Sequence, residues 1–135
     1  METELINKKL RQQQYSELFS LPFKDLSDVL EAVFHYLRWY RFIKESGSPL
    51  SPESSTTNDL DRCFEFSLTE LPEEERRIIE YEFRNRRNTG WWNEYYSRST
   101  YYRLKRCAIV DLILNLKETG NNVILNILNS KFEGE

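Results

Sequence analysis

Arg98, Tyr102 and Arg106 recur at four-residue steps, with Ser99, Arg103 and Lys105 between them. On a helix this spacing sets guanidinium groups and a phenol along one face. Guanidinium and ammonium groups hold phosphate oxygens, while arginine, serine and tyrosine side chains also reach the edges of nucleobases. The surrounding stretch, WWNEYYSRSTYYRLKR, has six aromatic and four basic residues in sixteen positions. The chemistry on offer is the gripping of an anionic partner.

Bond-making chemistry has much weaker support. His35 is the only histidine and falls within an amphipathic helix, where it reads as a surface or core-edge residue. No Ser/His/Asp or Cys/His set can be completed around it. Cys63 and Cys107 lie far apart in apolar-patterned segments and read as reduced core thiols, without metal-site spacing. Glu73 to Glu75 and Glu80 are accounted for by helix capping and solvation, and there is no glycine-rich phosphate loop. The expectation is a protein that is not an enzyme and needs no cofactor or metal.

Charge is distributed unevenly. The 135 residues carry a net charge of −3, yet Arg84 to Arg106 contains seven basic residues (Arg84, Arg86, Arg87, Arg98, Arg103, Lys105, Arg106) against one acid, Glu94. That window is +6 and the remainder −9, so one segment has the field an anion would follow. METELINKKLRQQQ has no apolar signal region, and the apolar run Ala108 to Leu116, broken by Asp111 and Asn115, is too short for a bilayer. A cytoplasmic protein with no membrane segment is expected.

The elements that must position the basic face are helical. Residues 1–45 read as an N-terminal helical arm, in which Leu26, Val29, Leu30, Val33, Leu37 and Tyr40 recur at helical intervals. Phe34, Trp39, Phe42 and Ile43 widen the stripe, so this helix needs cover on more than one side, and a homodimer through Leu26–Ile43 is one way to supply it. SGSPLSPESSTTN makes 46–58 a flexible linker. A short helix with Leu60, Cys63, Phe64 and Leu68 follows, capped by Asn58 or Asp59. LPEEERRIIEYEF predicts a helix with Pro72 at its first position and three glutamates in its first turn. RNRRNTG ends it. Ser97 can cap a long helix from Arg98 to about Lys117, packed through Tyr101, Leu104, Ala108 and Leu112, with Trp91, Trp92 and Tyr95 or Tyr96 supporting it from the core. The tail, 118–135, is read as a short helix or a strand, with Val123, Ile124, Ile127 and Leu128 inward.

Helix, short helix, tight turn at Tyr96-Ser97, long helix is the layout of a helix-turn-helix over 59–117. LPEEERRIIEYEF with SRSTYYRLKRCAIVDLI resembles the promoter-reading region four of bacterial sigma factors. It resembles more closely the ArpU-type transcriptional regulators of phages and Gram-positive bacteria. Leu71-Pro72, Glu75-Arg76, Trp91-Trp92, Ser97, Thr100, Tyr101, Tyr102, Arg103 and Lys105 carry the match. WWNEYY departs from the pattern, having bulky residues where the family has small ones and a glycine.

The resulting expectation is an all-α, sigma-like regulator of transcription that reads double-stranded DNA through the major groove. Arg98, Ser99 and Tyr102 are candidates for base or sugar contacts, Arg103, Lys105 and Arg106 for phosphates, and Arg86 and Arg87 for the backbone from the loop. The resemblance implies RNA polymerase as a further partner. The alternative is a non-catalytic protein-interaction module that keeps the fold without DNA.

Overall fold

The computed structural model describes residues 2–46, 55–85 and 90–133. The elements are α1 (Glu2–Phe19), α2 (Phe23–Ser46), α3 (Ser55–Thr69), α4 (Glu73–Ile79), α5 (Arg98–Glu118) and α6 (Asn122–Glu133). A π-helical turn, Glu80–Arg84, extends α4, and a single 3-10 turn, Trp91–Glu94, precedes α5. The described residues are all-α.

The periodic residues of α2 do what their spacing demands. Leu26, Val29, Leu30, Val33, Leu37 and Tyr40 are each no more than 3% exposed. Their cover comes from the same chain: a continuous core joins the first five of them to Leu60, Phe64, Phe83, Ile109, Leu112, Ile113, Ile124 and Leu128. The ring of Phe34 meets Phe64 edge-on at 4.9 Å and stacks on Phe83 at 5.8 Å, tying α2 to α3 and to the π turn. The Leu26–Tyr40 stripe is therefore covered from within the chain. Trp39 and Phe42 remain outside it, 47% and 70% exposed.

The arm is docked on α5 by polar contacts as well. Arg11 donates to Asn115 Oδ1 at 2.9 Å and pairs with Glu118, while Asn115 Nδ2 donates to the Ser67 carbonyl at 3.1 Å. One side chain of α5 thus connects α1 and α3. The arm and the segment beyond the linker share a core rather than holding one each.

Several boundaries differ from expectation. α3 begins at Ser55, so Asn58 and Asp59 lie inside its first turns; the run of serine and threonine supplies N-terminal residue types before the predicted cap. Of the expected linker, 47–54 lies outside the described residues. Pro72 stands just before α4 with extended ψ of 149°, its carbonyl accepting from Arg76 N. Within the tail, Asn122–Glu133 forms a helix, α6. Gly120, at φ 70°, ends α5, and Asn121 Oδ1 accepts from the Val123 and Ile124 amides at 3.0 and 3.2 Å. That cap turns Ile124 and Leu128 fully inward.

Candidate functional site

α5 is oriented by the aromatic turn in front of it. Gly90 adopts φ 87°, a left-handed backbone conformation that side chains disfavour and that suits glycine at the start of this turn. Trp92 lies flat on Tyr101, with ring centroids 4.4 Å apart and planes at 7°. Trp91 meets the same ring edge-on at 5.8 Å, and Tyr81 meets Trp91 edge-on at 4.8 Å. Tyr101 itself is 1% exposed.

Glu82 completes this anchor. Its Oε1 accepts from the Tyr101 hydroxyl and from Trp91 Nε1, and its Oε2 lies 3.4 Å from Lys105 Nζ. Burial, and then the bond to Glu82, push the Tyr101 hydroxyl far above its ordinary pKa, so it remains a donor. Ser97 caps the helix as its position predicts, with Oγ accepting from the Thr100 amide at 3.3 Å.

With Tyr101 fixed, the first two turns have a defined outer face. Arg98, Ser99, Tyr102 and Arg103 are exposed. The Arg98 guanidinium lies 5.9 Å from the centre of the Tyr102 ring. Neither Arg98 nor Arg103 has an ion-pair partner among the described residues.

The next two cations do not share that freedom. Lys105, whose side chain is 13% exposed, turns to Glu82 and lies over the rings of Phe23 and Phe83. Arg106 donates to the carbonyls of Phe19 and Leu21, both at 2.7 Å, and covers the Phe19 ring. Phe19 ends α1, where unpaired carbonyls make a helix terminus electronegative and attract a cation. The outward row expected at Arg98, Tyr102 and Arg106 therefore stops after its second member. Arg86 and Arg87 lie outside the described residues.

The aromatic support also differs from expectation. Trp91 and Trp92 are half-buried, Tyr95 is 66% exposed, and Tyr96, partly exposed, donates to Glu74 at 2.8 Å. Tyr101 is the one residue of the group that is fully in the core.

Three features escape the sequence reading. Glu82 was readable in part, since it falls seven residues after Glu75 on the face shared with Ile78 and Ile79. Glu75 is itself buried, at 8% exposure, rather than solvated. Burial, and then its hydrogen bond to Asp111 of α5, push its carboxyl up to about 8. The third is the wall formed by Phe19 and Phe23 at the α1–α2 junction, which no local pattern places beside α5.

Two depressions flank Tyr102. One, of about 590 Å³, includes Glu82, Trp92, Tyr96, Arg98 and Lys105 in its lining. The other, of about 580 Å³, is lined by Phe19, Phe23, Arg98, Tyr102, Arg103 and Arg106. Among the described residues, no three His, Cys, Asp or Glu side chains gather as metal ligands, and no helix is long and apolar enough to cross a membrane. No family model, curated protein or solved structure matches the chain.

Proposed function

We propose that this protein is a sequence-specific DNA-binding regulator of transcription, with α4, the aromatic turn and the leading end of α5 forming a sigma-like helix-turn-helix. The observation that carries this reading is the exposed group Arg98, Ser99, Tyr102 and Arg103 on the first two turns of α5, with both arginines free of carboxylate partners. In the major groove, Arg98, Ser99 and Tyr102 would meet base edges and Arg103 a phosphate. The helix N-terminus adds backbone amides that favour phosphate. Lys105 and Arg106 serve the reading differently from expectation: they fix α5 against Glu82 and against the end of α1.

Selection from a random duplex pool, followed by fluorescence anisotropy on the enriched sequence, tests this. Arg98→Ala with Arg103→Ala is expected to weaken binding at least about tenfold, the loss of one or two good polar contacts. A pool that yields no preferred sequence, or an affinity unmoved by the substitutions, would overturn it.

Trp39 and Phe42, exposed on α2, favour a second reading, a protein-interaction module. Capture of RNA polymerase subunits without DNA, together with failure to shift any duplex, would establish that reading instead.

A further inference from the structure

The two depressions beside Tyr102 differ in charge. Glu82 sits in the lining of the first, whereas the second has three arginines, three aromatic rings and no acid. Arg106 is held in its wall by two carbonyls, which engage the guanidinium without neutralising it. The Phe23 ring meets Tyr102 edge-on at 6.0 Å, so α2 and α5 contribute adjoining rings to one wall. A volume of about 580 Å³ lies within the range of sites that enclose a small organic group.

Cations that track a strand, beside rings that stack bases, are the combination that binds single-stranded nucleic acid. A paired base has both faces stacked on its neighbours, so only an unpaired one can offer a face to these rings. We propose that this cleft takes one unpaired nucleotide from a strand flanking the bound duplex. Its phosphate lies against Arg103, the arginine given to phosphate in the duplex reading, and its base turns a face to the exposed edges of Phe19 and Phe23 beside Tyr102. The proposal rests on the DNA-binding reading of α5 and extends it to the end of the α1 arm, which thereby becomes part of the site. The preferred ligand is a duplex that opens beside the recognised sequence.

The test compares three fluorescent probes on the full chain: a blunt duplex, the same duplex with a short unpaired tail, and the tail strand alone. The tailed duplex is expected to bind about five- to tenfold tighter than the blunt one, the low end of what one base gains by stacking on an aromatic ring. Phe23→Leu keeps the apolar bulk at the junction and is expected to bring the tailed duplex down to the affinity of the blunt one. Thermal unfolding checks that this variant is folded, and Phe19→Leu provides an independent variant should it not be. Equal binding of tailed and blunt duplex, or a tail preference that survives both substitutions, would overturn the proposal and leave the duplex reading intact. Binding of the tail strand without the blunt duplex would support the cleft and overturn the duplex reading. Failure of all three probes would overturn both.

Discussion

From Ala108 to Leu116, α5 buries seven of nine side chains; from Arg98 to Arg106 it buries one, Tyr101. The trailing half is covered around its circumference because α1, α2, α3 and α6 all reach it. The leading half is supported through Tyr101, by Glu82 and the two tryptophans, which leaves its outer face open. One helix thus joins a stable core to a surface that can carry cations at little cost to folding. The same contrast recurs within the leading half, where Arg98 and Arg103 are free while Lys105 and Arg106 are taken up by the chain.

Substitutions should separate these regions, and the largest effect belongs to the trailing half. Ile109→Ala or Leu112→Ala removes a fully buried branched side chain and is expected to cost about 2–5 kcal/mol in urea unfolding. A cost below about 1 kcal/mol would mean that the core is not closed around α5.

Arg106→Ala comes next. It removes two charge-assisted hydrogen bonds to the end of α1, with an expected loss of roughly 1–3 kcal/mol. Hydrogen exchange should show faster opening of the α1–α2 junction before the rest of the chain.

Glu75 yields a pH signature. Its carboxyl is raised from 4.5 to about 8 in the folded protein, so the folded state holds a proton that the unfolded state releases. The associated stability is fully present below about pH 4.5 and is lost as pH rises to about 8. Glu75→Gln should flatten this slope and gain on the native protein at pH 8, by an amount on the order of 1 kcal/mol. Unfolding curves at pH 5 and pH 8 check it.

The smallest effect on stability is at the leading end. Arg98→Ala and Arg103→Ala should each stay within about 0.5 kcal/mol of the native protein, although these are the residues on which DNA affinity is expected to depend.

The trailing half was legible because an apolar run in the middle of a long helical pattern admits one environment. The α2 stripe from Leu26 to Tyr40 and the Ser97 cap were legible for equally local reasons, periodicity and a hydroxyl at a helix start. Arg106 was not. Spacing along α5 names the face it shares with Arg98 and Tyr102, but whether that face meets solvent or the carbonyls of Phe19 and Leu21 depends on a contact 85 to 87 residues away in the chain. Glu75 was misread for a related reason. Its place in a glutamate run at a helix start matches a solvated cap, and only the packing of α5 brings Asp111 against it. The pairing of Phe19 and Phe23 with the cationic end of α5 is likewise a tertiary fact.

The central claim is that the free cations at the head of α5, and not those engaged behind them, hold the DNA. The dependence of affinity on salt tests it most directly, because each phosphate neutralised contributes about −0.9 to the slope of log affinity against log salt. The double variant Arg98→Ala, Arg103→Ala should make that slope shallower by about 1, through the phosphate that Arg103 holds, while Lys105→Gln should leave it within error of the native value. A slope indifferent to Arg98 and Arg103, or one that Lys105→Gln changes equally, would contradict the claim.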